Sequence, residues 1–112
     1  MSISVTENTT VAVPLGEVRD WDVLARQAQY RASELAALCQ ISLRTLERHF
    51  QKHYRLKVMN WLKELRMNDA YHRLQLGGSV KEVAFDLGYK QHSHFSRDFK
   101  TRFGVPPSFL LP

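Results

Sequence analysis

The sequence predicts an all-α fold: two helix-turn-helix subdomains joined by a long linker helix. Three observations carry that expectation. No segment alternates apolar and polar residues in the way of a half-buried strand. Glycines punctuate the apolar-periodic segments at Gly77-Gly78, Gly88 and Gly104, where helices stop. The stretch from Val83 to Pro107 reads as a short helix, a Gly turn and a second helix, and a weaker copy lies about 48 residues upstream.

Residues 1–16 are rich in Thr, Ser and Val and end in Pro14 and Gly16, which reads as a flexible N-terminal arm. Val18, Trp21, Leu24, Ala25 and Ala28 share a helical face, so a first helix is expected from about Val18 to Gln29. Leu35, Ala36 and Leu38 belong to a short second helix ending near Cys39. Ser42 is a good N-cap for a third helix, in which Leu46 and Phe50, spaced i to i+4, face inward. A fourth helix runs from Lys57 to Leu76 without Gly or Pro, with Val58, Trp61, Leu62, Leu65, Tyr71 and Leu74 as its expected buried positions. Ser79-Val-Lys-Glu82 is a capping box that opens a fifth helix. Gly88 ends it in a turn requiring positive φ. A sixth helix follows from about Gln91 to Arg102, with Phe95, Phe99 and Phe103 turned inward. Pro106-Pro107 begins either a last turn of helix or an irregular tail. The resulting division is a first helix-turn-helix over 17–56, a linker helix over 57–77 and a second helix-turn-helix over 78–112.

The two copies match in order. Leu35-Ala36 pairs with Val83-Ala84, Gln40 with Gly88, and Arg48-x-Phe50 with Arg97-x-Phe99, the second turn being one residue longer. The alanine has a steric reason: the two helices of such a motif cross closely, and a larger side chain would push them apart. A linker of about 20 residues spans roughly 30 Å. Successive major-groove faces lie about 34 Å apart, so one chain could reach two of them.

The bulk numbers agree with a polyanionic partner. The formal net charge is +5. Residues 1–41 carry three arginines against five acids, a net of −2, which leaves +7 for the remainder. That asymmetry suits nucleic acid, although a basic surface also keeps a small domain soluble. No run of about 18 apolar residues is present to span a membrane. The N-terminus has neither the basic region nor the apolar core of a secretory signal. Cys39 is the only cysteine, so no intramolecular disulfide forms, and a cytoplasmic location is expected. No Gly-rich phosphate loop, paired carboxylates or nucleophile with a base is visible, so no enzyme, cofactor or effector is expected. His49 and His53, and His92 and His94, are close in sequence, but no Cys or acidic cluster completes a metal site. Cys39 reads as a buried helix residue and Asp98 as a helix-surface charge.

The segments A84-F-D-L-G88-Y89, S93-H-F95-S96-R97-D-F99-K100 and F103-G104-V-P-P107 resemble the signature of the AraC/XylS family of bacterial transcription regulators. W61-L62, R66-M67, A70 and L74 resemble that family's linker helix. The resemblance covers Val18 to Pro107 and implies a homeodomain-like double helix-turn-helix that binds asymmetric promoter sites and usually activates transcription through RNA polymerase; because one chain could reach two grooves, a monomer is expected. By position, the family's base-reading residues fall on Arg44, Glu47 and Arg48 in the first unit and on His92, Ser93, Ser96 and Arg97 in the second. The types suit the role: Arg forks onto guanine, Glu accepts from cytosine N4, and Ser serves several bases. Lys57, Arg66, Lys90, Gln91, Lys100 and Arg102 are the candidates for phosphate contacts that set register.

Two departures from the family stand out. Gln40 replaces the usual Gly of the first turn, and Leu110-Leu111 replace a Tyr-Arg pair. They keep open an alternative: a protein-interaction module on a degenerate DNA-binding fold, docking on polymerase or another regulator. The fold also occurs in repair proteins with methyl-accepting cysteines, but those need a cysteine cluster that this sequence lacks.

Overall fold

A computed structural model describes residues 20–110. It contains α1 (Trp21–Gln27), α2 (Ala32–Leu38), α3 (Leu43–Tyr54), α4 (Val58–Gln75), α5 (Val80–Asp86), α6 (His92–Phe103) and a 3-10 turn (Pro107–Leu110). No strand occurs among the described residues. The arm expected over residues 1–16, Val18 of the first helix and Leu111 of the tail lie outside them. The described residues divide into two compact units that part between Met59 and Asn60.

In the first unit, α1 starts at Trp21 because the Asp20 side chain caps it, accepting from the Val23 amide at 3.3 Å. The helix is therefore shorter than the apolar periodicity suggested. It ends where Gln29 and Tyr30 both take positive φ, and the Tyr30 amide reaches back to the Ala25 carbonyl at 2.9 Å. Ser42 caps α3 by accepting from the Thr45 amide at 3.1 Å. The core holds Trp21, Ala25, Leu35, Ala36, Cys39, Leu46 and Phe50. Trp21 packs edge-on against Phe50, centroids 4.8 Å apart, and its indole N–H donates to the Tyr54 hydroxyl at 3.0 Å. That geometry gives a buried indole both an aromatic partner and a polar one. Leu38, the last residue of α2, is 38% exposed, whereas Ala32, Leu35 and Ala36 of the same helix are buried.

In the second unit, Leu62, Met67, Ala70 and Leu74 of α4 pack with Val83, Ala84, Leu87, Phe95 and Phe99. Trp61, Leu65 and Tyr71 are only partly buried, whereas Met67 and Ala70 occupy the deepest positions. Small and flexible side chains fit where another backbone approaches closely. Ser79 accepts from the Glu82 amide at 3.1 Å, so the expected cap is made, but its hydroxyl donates to the Glu82 carboxylate at 3.1 Å, so that carboxylate meets the Ser79 side chain rather than the backbone N–H of a full capping box. Gly78 is required by space: a Cβ there would stand 2.9 Å from Val83 Cγ2 and 3.1 Å from the Arg73 carbonyl. Phe95, Phe99 and Phe103 make a continuous ring stack along α6, with centroids 5.8 and 4.6 Å apart. The stack is interior at Phe95 and Phe99. Pro107 is buried and starts the 3-10 turn.

Candidate nucleic-acid interface

The two turns are built alike. After α2, the Gln40 amide donates to Ala37 at 3.0 Å and the Ile41 amide to Ala36 at 3.1 Å. After α5, the Gly88 amide donates to Phe85 at 3.0 Å and the Tyr89 amide to Ala84 at 3.0 Å. Each of these donors and acceptors has its counterpart 48 residues away in the other turn. Both close in the left-handed region, at φ +56° for Gln40 and +85° for Gly88. Gln40 therefore keeps the glycine-type geometry despite its Cβ, at a cost on the order of 1 kcal/mol. The alanines explain the close approach: Ala36 and Ala84 are buried, with nothing beyond a methyl to separate the helices.

Each turn leads into a twelve-residue helix with one apolar and one polar side. On α3, Leu46 and Phe50 are buried while Arg44, Glu47 and Arg48 are exposed. On α6, Phe95 and Phe99 are buried, His92, Ser93 and Arg97 are exposed, and Ser96 is half-buried. The i, i+3, i+4 spacing puts each exposed set on one surface of its helix. Counting from the helix starts, Arg44 corresponds to Ser93, Glu47 to Ser96 and Arg48 to Arg97. The counterpart of His92 is Leu43, 36% exposed at the first position of α3. Residue type hid Leu43 from a search for hydrogen-bonding side chains, although the repeat offset alone singles it out.

The cationic candidates fall into two groups. Lys57, Lys90 and Lys100 are exposed, as is Gln91, which forms no side-chain cap bond at the start of α6. Arg66 and Arg102 are engaged inside the second unit. Arg66 Nε donates to the Leu87 carbonyl at 3.0 Å, and its guanidinium lies 3.7 Å over the Tyr89 ring. Arg102 Nε donates to both Glu64 carboxylate oxygens, at 2.7 and 2.9 Å, and Nη2 joins the same pair. The Arg102 hydrogen bond holds the Glu64 carboxyl below the usual range for a glutamate. Both guanidinium groups are thus matched within the second unit.

Tyr89 also donates to Asp98 Oδ2 at 2.8 Å, which ties the turn to the middle of α6. Burial, and then the Asp98 bond, push the phenol well above its ordinary value. His49 and His53 face each other with centroids 4.4 Å apart, and burial followed by the charge of His53 lowers the His49 pKa. Among the described residues no group of three or more metal-ligating side chains is present. Cys39 is buried, which pushes its thiol up. No helix among the described residues is long and apolar enough to cross a membrane.

Comparison with known proteins gives a consistent result. A family model described as a helix-turn-helix domain matches residues 35–111. The chain is 38% identical over 68 residues to the HTH-type transcriptional activator RhaS of Escherichia fergusonii, which is 60% of this chain and 24% of RhaS. It is 37% identical over 75 residues to the HTH-type transcriptional regulator GbdR of Pseudomonas aeruginosa, covering 66% of this chain and 20% of GbdR. The matched region thus spans about a fifth to a quarter of these curated relatives. Among solved structures, a "probable AraC family transcriptional regulator" from Rhodopseudomonas palustris aligns with a TM-score of 0.59 and 28% identity over 80% of this chain and 89% of that one. A DNA-binding transcriptional dual regulator from Escherichia coli K-12 shares the fold, with a TM-score of 0.65 at 22% identity over 79% of this chain and 82% of that one.

Proposed function

The chain belongs to the AraC/XylS family of helix-turn-helix regulators, and on that basis we propose that it binds double-stranded promoter DNA through both of its helix-turn-helix modules and activates transcription. The modules are 17–56 and 78–112, with 57–77 as the link between them. α3 and α6 are the recognition helices. Arg44, Glu47, Arg48, His92, Ser93, Ser96 and Arg97 read base edges. Lys57, Lys90, Gln91 and Lys100 hold phosphates, while Arg66 and Arg102 serve chiefly their partners within the second unit. The protein works as a monomer in the cytoplasm, and RNA polymerase is its protein partner. The observation that carries this reading is the pair of equivalent turns, each delivering a helix whose solvent side is rich in Arg, Ser, Glu and His.

Selection of bound sequences from a random duplex library tests it. The expected product is a bipartite motif with half-sites about one helical turn apart and a steep loss of affinity with salt. Arg97→Ala should weaken the selected duplex by about tenfold or more, the cost of a bidentate base contact, and random DNA far less. Equal losses on both duplexes would make Arg97 a phosphate contact. Failure to enrich any sequence at low salt would favour a protein-docking module, the reading to which Leu76 and Phe85, each 79% exposed, lend weight.

A further inference from the structure

Asp98 lies between Arg97 and Phe99 on the recognition helix of the second module. An acid on a surface meant for a polyanion repels it, and an acid next to a base-reading arginine competes for its guanidinium. Here the carboxylate is occupied. The Tyr89 hydroxyl donates to Oδ2 at 2.8 Å, and the Tyr89 ring is itself held by the Arg66 guanidinium 3.7 Å away. Arg66 in turn is anchored on the Leu87 carbonyl at 3.0 Å. The charge of Arg97 acts on the same phenol, so Arg97 is within electrostatic range of the clasp.

The first module shows that the turn does not need this hydroxyl. Ile41 stands in the place of Tyr89 and His49 in the place of Asp98, yet the backbone bonds of the turn are the same. The clasp is therefore an addition in the second module, where Asp98 stands at the position His49 holds in α3.

We propose that Tyr89 is a specificity-determining positioning residue, whose hydroxyl holds the Asp98 carboxylate away from Arg97 and from the DNA so that Arg97 stays available to a base. The idea rests on the DNA-binding reading and deepens it. Tyr89 touches no base in this scheme and acts through Asp98 and Arg97. Without the hydroxyl, the carboxylate turns toward Arg97 and toward the phosphates.

The test is a double-mutant cycle on affinity for the duplex selected by the wild-type protein, alongside a random duplex. Y89F keeps the ring beneath Arg66 and removes only the hydroxyl. It should weaken the selected duplex by about tenfold, and the random duplex less. D98N in the wild-type background keeps an acceptor for Tyr89 and should stay within about threefold of wild type. Y89F with D98N should recover most of the loss, because no carboxylate is left to misdirect Arg97. A double variant as weak as Y89F, or a Y89F protein that binds like wild type, would overturn the proposal. So would a Y89F protein that has lost its thermal transition, since Tyr89 would then support the fold itself. A wild-type protein that selects no duplex would end the DNA-binding reading and this proposal together, an outcome distinct from wild-type selection without recovery in the double variant.

Discussion

Arg66→Met separates two roles that the sequence leaves equivalent. As a phosphate contact, Arg66 would matter only to DNA. In the structure it donates Nε–H to the Leu87 carbonyl at 3.0 Å and stacks on Tyr89 at 3.7 Å. A hydrogen bond from a charged donor contributes about 1.5 kcal/mol at the low end of its range, which suits a half-buried group. The guanidinium on the phenol ring adds about 1 kcal/mol. Methionine keeps the aliphatic stem and recovers roughly 0.5 kcal/mol in packing. The net loss is about 2 kcal/mol. With a urea dependence of about 1.5 kcal/mol per molar, the midpoint of unfolding falls by about 1.3 M. Urea titration followed by far-ultraviolet circular dichroism measures it, and the salt dependence of DNA affinity is measured on the folded variant. The expected salt slope equals that of wild type. A midpoint within about 0.2 M of wild type, together with a slope reduced by about 0.9, would refute the reasoning and make Arg66 a phosphate contact.

Two further outcomes follow from single residues. Gln40 sits in the left-handed region at φ +56°. Gln40→Gly relieves about 1 kcal/mol of strain and gives back roughly 0.5 kcal/mol through the more flexible unfolded chain. Thermal melting should therefore rise by about 2–4 °C, and a fall would show that the contacts of the glutamine side chain outweigh the strain. Glu64 titrates below the usual glutamate range because Arg102 hydrogen-bonds it. A folded-state value below the unfolded one stabilises the protein above the unfolded pKa of about 4.3 and loses that contribution as the pH falls through the folded value. Wild type should lose a small increment of stability as the pH falls below about 4.3 that Glu64→Gln lacks, the two converging at the acid end. Parallel curves across that window would remove the pair from the pH dependence.

Much of the helical plan was legible because its signals are local. Ser42 and Ser79 act as caps wherever a helix begins, and Gly88 marks a left-handed turn from its own residue type. The start of α1 was less legible: periodicity extended it toward Val18, whereas the Asp20 side chain begins it at Trp21. The deep positions of α4 were legible only in part, since Met67 and Ala70 lie further in than the larger Trp61 and Tyr71. Apolar size ranks candidates for burial, but the space left by neighbouring helices selects among them.

The polar faces of α3 and α6 could be read from helical spacing, because exposure there follows from the burial of Leu46, Phe50, Phe95 and Phe99 on the other side. Leu43 escaped notice because its type does not advertise polar recognition. The division among the cations also needed the fold. Arg66 and Arg102 look like Lys57, Lys90 and Lys100 in sequence, all of them basic residues on or near helices. Their partners, Leu87 and Glu64, lie 21 and 38 residues away along the chain. The same holds for Asp98, whose partner Tyr89 belongs to the preceding turn. By itself the sequence determined which segments are helices, where the turns fall and which helix faces are polar, because those depend on neighbours within about four residues. Only the tertiary structure decided which charges face solvent and which are already matched, because that depends on residues brought together from distant parts of the chain.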